Sequence, residues 1–190
     1  KIFGREREIV EEAYAGDVIG LVGYSDFSIG DTLSEDPAVV YDEIPRFAPE
    51  CFAFLFNPNP AKYKPFAKGL EQMLSESVVR ALQPLDAADA KSTLLSAVGP
   101  LQFEVAQYRM LSEYGVESRL ESAVWTLARW VGPKTPRYAL DDIGLPMKCA
   151  RVRDEEGAEM ILFPTPWSLQ YLGEKHPEIE LLRLTPVLAA

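Results

Sequence analysis

An α+β fold is predicted for these 190 residues, and three features of the sequence predict it. Short apolar runs of strand length alternate with two stretches of helical period. Gly, Pro and Asn fall at the joints between them. Hydrophobic residues make up 47% of the chain and charged residues 25%, a balance that builds a packed core. The clearest helix is 100–114. Pro100 suits a first helical position, where a missing N–H costs nothing. Leu101, Val105, Tyr108 and Leu111 recur at helical spacing and predict the inward stripe. Gly115 stands where a left-handed residue ends helices. Beyond it, Val116, Ser118, Leu120 and Ser122 alternate with Glu117, Arg119 and Glu121 as in a half-exposed strand.

The other elements hang on this one. Cys51 to Phe56 reads as a buried strand, broken by Asn57-Pro58-Asn59-Pro60. Tyr63, Phe66, Leu70, Met73 and Leu74 share one face of a first helix. Val78 to Gln83 and Ser92 to Val98 read as strands around a turn region, Pro84 to Asp89. The order is strand, helix, strand, strand, helix, strand. This is the split βαβ, ferredoxin-like order, a four-stranded sheet with two helices on one face. Leu70 and Leu101 are expected between helices and sheet.

The flanks are less regular. Lys1 to about Thr32 is β in character, with a strand and charged turn over 1–10, a turn at Ala15-Gly16-Asp17 and a strand over Val18 to Val22. Ile29 to Leu33 closes that segment. Asp36-Pro37, Ile44-Pro45 and Ala48-Pro49 mark a linker. Its acids Glu35, Asp36, Asp42 and Glu43 match no calcium loop. After Ser122 come a strand over Trp125 to Gly132, an irregular stretch from Pro133 to Pro146, and a hairpin of Lys148–Arg153 with Ala158–Phe163 around Asp154 to Gly157. Thr165 caps a helix whose first position is Pro166, carrying Trp167, Leu169 and Leu172, ended by His176-Pro177. Ile179 to Leu184 is a last strand.

Charge limits the function. The net charge is −10, so a uniformly basic nucleic-acid surface is excluded and any RNA contact needs a local patch. Lys62, Lys64 and Lys68 on the first helix are the strongest basic cluster, with Arg129, Lys134 and Arg137 further on. Cys51 and Cys149 lack metal or redox spacing and read as small apolar residues in a reducing compartment. His176, the only histidine, sits at a helix end and makes no triad or zinc site with them. No phosphate-loop pattern occurs; Gly132-Pro133-Lys134-Thr135 has the wrong spacing. No apolar run is long enough to span a bilayer, and no signal-peptide pattern opens the chain.

Two stretches resemble a known family. Ala97-Val98-Gly99-Pro100-Leu101-Gln102-Phe103-Glu104-Val105 followed by Leu111-Ser112-Glu113-Tyr114-Gly115-Val116-Glu117 is similar to the third domain of translational GTPases of the elongation factor G group. Its wording is nearest the bacterial branch of peptide chain release factor three. Ala13 to Leu21 with Ile29 to Leu33 resembles the end of that family's second, β-barrel domain. Ala128-Arg129-Trp130-Val131 favours the release-factor branch over the elongation branch.

The resemblance implies the end of a translation-factor β-barrel plus linker over 1–47. It implies a third domain over 48–190, with a ferredoxin-like part about 50–122 and an α+β extension about 123–190. It implies a cytoplasmic fragment of a longer GTPase whose GTP- and magnesium-binding domain is absent here, with no cofactor and no catalytic or metal residue in this part. The implied partners are the ribosome, through rRNA and ribosomal proteins, and class I release factors, whose dissociation the intact protein promotes; no DNA and no membrane is involved. The six basic residues are then the candidate ribosome contacts. Two other readings compete: a module of an elongation-type or ribosome-protection GTPase, and an independent ferredoxin-like enzyme or ligand-binding domain.

Overall fold

A computed structural model describes residues 2–3, 6–7, 9–23, 30–41, 46–85, 92–141 and 143–186. They fall into two units, Lys1–Val40 and Tyr41–Ala190. In the first, β1 (Ile2–Phe3) pairs antiparallel with β2 (Glu6–Arg7). The expected turn at Gly16 forms, with Asp17 N–H donating to Tyr14 O at 2.9 Å and φ of 93° at Gly16. The expected strand over 18–22 does not form. Val18, Leu21 and Val22 are exposed. A strand needs a ladder partner, and no described residue supplies one. Ile29, Asp42 to Pro45 and Asp86 to Asp89 lie outside the described residues. Asp36 turns the chain by accepting from Ala38 N–H at 2.9 Å.

In the second unit the predicted order appears as β3 (Cys51–Phe56), α1 (Tyr63–Ser75), β4 (Arg80–Pro84), β5 (Thr93–Ala97), α2 (Pro100–Tyr114) and β6 (Arg119–Ser122). The strands lie in the order β4-β5-β3-β6, all antiparallel. Gly115 adopts φ of 63° and closes α2, with its N–H bonded to Leu111 O. Val116 N–H then bonds Met110 O, so Val116 belongs to the helix cap rather than to β6.

The extension is a second copy of the same topology. It runs β7 (Leu127–Val131), α3 (Tyr138–Asp141), β8 (Ala150–Arg153), β9 (Glu159–Phe163), α4 (Pro166–Lys175) and β10 (Leu181–Leu182). Its strand order β10-β7-β9-β8 repeats that of the first copy, again antiparallel throughout. The two copies join edge to edge through β4 and β8, at Gln83 opposite Arg153 and Pro84 opposite Val152. Opposite this seam, Phe47 bridges Leu184, and Ala48 N–H donates to Arg183 O at 2.8 Å.

Strand alternation sets the layers. Phe52, Leu82 and Leu94 of the first sheet meet Ala128, Trp130, Val152, Met160 and Leu162 of the second in one shared core. The opposite faces carry the helices. Leu55 and Leu95 pack under Phe66, Met73, Ala106 and Met110, while Ile161 and Phe163 pack under Leu172. This unit is therefore layered helix, sheet, sheet, helix.

One expectation fails here. Leu101 is not buried between α2 and the sheet; it is 66% exposed. The inward residues of α2 are Phe103, Ala106, Met110 and Tyr114. Gly69 of α1 comes so close that a Cβ on it would lie 2.8 Å from Met110 Sδ. With no side chain at Gly69, Met110 and Tyr114 fill the space between the helices, and the stripe of Leu101, Val105, Tyr108 and Leu111 faces away from the sheet. Leu70 is partly buried against the core, as expected.

Candidate functional site

The start of α1 fixes the direction of its lysines. Asn57 Oδ1 accepts from Asn59 N–H at 2.9 Å, and Asn59 Oδ1 from Ala61 N–H at 3.1 Å, which starts a 3-10 turn leading into the helix. Phe66, Gly69 and Met73 then point to the core. Lys64 and Lys68, four residues apart, are left together on the exposed side. Lys62 is tethered: its Nζ donates to Gly115 O at 2.6 Å, at the carbonyl-rich end of α2.

The other three basic residues belong to the second copy. Arg129 on β7 is half-buried and donates to the carbonyl of Ala128 at 2.6 Å. Burial, and then Arg183 beside it, pull its pKa down against the pull of Glu50. Lys134 is exposed and pairs with Glu180 at 3.6 Å. Arg137 is exposed just before α3. The shared core separates the helix layer holding Lys64 and Lys68 from the sheet that holds Arg129. The six residues thus divide into two sets. Sequence reasoning did not single out Arg183, which joins Arg129 and, with Lys134, Glu180 and Thr185, lines a shallow depression. The signal was its place at the end of the last strand, beside the partner strand's arginine.

Burial pushes the Cys149 thiol up to about 11 and raises that of Cys51, with Glu50 adding to the latter. His176 caps α4 through its N–H to Leu172 O and faces Glu178 at 3.1 Å. Gly132 to Thr135 form a turn clamped by Glu180, whose carboxylate accepts from Lys134 N–H at 3.2 Å. A cavity of about 240 Å³ opens between the sheets, floored by Val79, Leu82, Trp130 and Met160. At its rim Asp154 accepts from Trp130 Nε1 at 3.0 Å and from Ala158 N–H at 2.8 Å. Glu156 holds Arg46 and Arg80, and Glu155 accepts from Ala81 N–H at 2.9 Å. Desolvation there raises the Glu155 carboxyl. Among the described residues no group of His, Cys, Asp and Glu is placed to hold a metal, and no helix is long and apolar enough to cross a membrane.

Fold and surface together define a class: a paired βαββαβ module that displays helix faces rather than converging side chains. Residues 41–173 match the family described as class II release factor RF3, C-terminal domain. The chain is 44% identical, over 98% of its length, to a protein named peptide chain release factor 3 from Gloeobacter violaceus, and spans 35% of it. It is 43% identical to the protein of that name from Gloeothece citriformis, over 98% of this chain and 34% of the relative. For the one from Synechococcus elongatus the identity is 42%, over 100% of this chain and 34% of the relative. This chain belongs to the class II release factor family and contains that C-terminal domain. It spans about a third of the length of these relatives.

Proposed function

We propose that this chain is the ribosome-engaging, domain-coupling part of a translation-termination GTPase. In this reading the intact protein binds GTP with magnesium through a domain outside these residues. It enters a ribosome that holds a class I release factor, promotes that factor's departure, and leaves after hydrolysis. The family match over residues 41–173 carries the reading. The build of the module supports it. Two sheets locked face to face around one core make a stiff body, suited to passing position from one neighbour to another rather than to closing round a substrate. Lys64 and Lys68 supply a local positive site on an acidic protein, and we assign them to RNA phosphate.

The test uses the intact protein and ribosomes stalled with a labelled class I factor. Deleting residues 41–190 is expected to abolish GTP-stimulated release of the label while leaving nucleotide binding in place. Unchanged release without these residues overturns the assignment. For the lysines, Lys64→Glu with Lys68→Glu should weaken ribosome binding and flatten its salt dependence; an unchanged slope with an intact fold moves the RNA contact elsewhere.

A further inference from the structure

The cavity between the two sheets has no part in the function proposed above. Its volume is about 240 Å³. The lining runs from Val79, Leu82 and Met160, which are buried, to Phe47 and Val98, which are 70% and 59% exposed, so the cavity reaches solvent. Core side chains ordinarily fill such a space, because an empty one forfeits the dispersion contacts of its walls. Here hydrogen bonds and ion pairs hold the walls in place. In the first copy, Gln102 Oε1 accepts from Val98 N–H at 2.8 Å and Gly99 N–H at 3.2 Å, and its Nε2 donates to Val78 O at 2.9 Å. In the second copy, Asp154 is fixed by Trp130 Nε1 and Ala158 N–H. Arg46 and Arg80 close on Glu156. Ser77, also in the wall, keeps φ of 53°, a left-handed conformation that glycine adopts at no steric cost. The rim is set before anything enters, which is the build of a binding pocket.

Size and chemistry select the occupant. An apolar cavity of about 150 Å³ admits benzene, so this larger one has room for a bicyclic ring with a short substituent. Trp130, Met160, Leu82 and Val79 offer that ring an apolar floor. Most polar groups around it are spent on the protein itself, as the bonds of Gln102, Asp154 and Glu156 show. Glu155 is different. Its Oε1 accepts from Ala81 N–H at 2.9 Å, and no described residue bonds its Oε2 or pairs with the carboxylate. Desolvation raises this carboxyl, and neighbouring Glu156 and Asp154 add to the rise against the pull of Arg80. A carboxylate partly withdrawn from water and lacking an ion-pair partner is a ready acceptor for an ammonium group. An anion would have to take the two arginines from Glu156 first. We infer that the cavity binds a small aromatic amine, with its ring against Trp130 and Met160 and its ammonium group donating to Glu155. Both copies supply the site, and it stands apart from any contact with RNA.

The experiment titrates the intact protein, saturated with GDP, with three probes that share an indole ring: tryptamine, indole and indole-3-propionate. Calorimetry should show one saturable site for tryptamine, binding about tenfold weaker for indole, and the weakest for the carboxylate. Glu155→Gln is expected to bring tryptamine down to the level of indole and to leave indole unchanged. Leu82→Trp, which fills the floor, should remove the binding of both; where that variant does not fold, the Glu155→Gln comparison decides. The inference is overturned if the three probes bind alike, if tryptamine binds Glu155→Gln undiminished, or if tryptamine does not saturate at millimolar concentration. Tightest binding by indole-3-propionate also overturns it, and gives the cavity to an anion on Arg46 and Arg80.

Discussion

The first βαββαβ copy has helices of 13 and 15 residues, whereas the second has one of 4 and one of 10. Their strand order is nonetheless the same. In the second copy Ile143, Leu145 and Cys149, from the loop after α3, cover the sheet beside Leu172 and Leu169 where a long first helix would lie. The difference shows which layer specifies the fold. The two inner sheet faces meet in one core whose members Ala128, Val152 and Leu162 are 0% exposed. Outer layers are then free to be helix in one copy and largely loop in the other, and it is there that distinctive surfaces appear.

Breaking the shared layer should have the largest effect. Leu162→Ala is expected to cost about 2–5 kcal/mol and to keep the two copies melting as one transition in calorimetry. Separate transitions would mean that the copies are independent and the common core is not. A smaller effect separates the helix layers. Gly69→Ala in α1 must displace Met110 and Tyr114 and should cost about 1–3 kcal/mol. Gly173→Ala in α4 meets open space and should stabilise by about 0.5–1 kcal/mol in urea unfolding. Equal effects would remove the claim that the first copy alone is tightly packed between its helices.

The helix starts can be compared in the same way. Thr165 Oγ1 accepts from Ser168 N–H at 3.3 Å, whereas Gly99 has no side chain to offer and relies on Gln102 Oε1, which accepts from Gly99 N–H at 3.2 Å. Thr165→Ala should cost about 1 kcal/mol, and Thr165→Gly only about a few tenths. The pH dependence tests the junction of the copies. The Glu155 carboxyl is raised in the folded protein by desolvation, so the native state holds its proton more tightly than the unfolded state. Stability from this group is therefore lost as pH rises from the ordinary carboxylate range through the raised value. Glu155→Gln, which keeps the oxygen facing Ala81 N–H, should reduce that fall in denaturation series run at several pH values. The smallest effect belongs to Leu101→Ala, within about 0.5 kcal/mol because the side chain is exposed. A core-sized loss would restore it to the interior.

Much of the first copy was legible because its signals were local. Pro100 and Gly115 bound α2, and the short apolar runs at 51–56 and 92–98 mark the central strands. The inward face of α2 was not legible. Two apolar stripes compete on that helix, and the choice is made by Gly69 on another element. The second copy reads from sequence only as an α+β extension, not as a repeat, because α3 is a single turn without periodicity. Its repeat is visible only in matched joints: two residues separate Ala97 from Pro100, and two separate Phe163 from Pro166. The lysines of α1 were read correctly as surface residues, but the grouping with Arg129 depended on a layer order that no local pattern encodes.

The bridge between Phe47 and Leu184 has a mechanical meaning. Ala48 N–H to Arg183 O and Thr185 N–H to Arg46 O make the incoming segment antiparallel to the outgoing one, just ahead of β3. Tension applied to the chain before Arg46 loads these bonds before it reaches the central strand. The load spreads to the last strand and through β7 into the common core, so both copies resist together. A pull on the chain ahead of Arg46 would therefore be shared between the first strand of one copy and the last strand of the other.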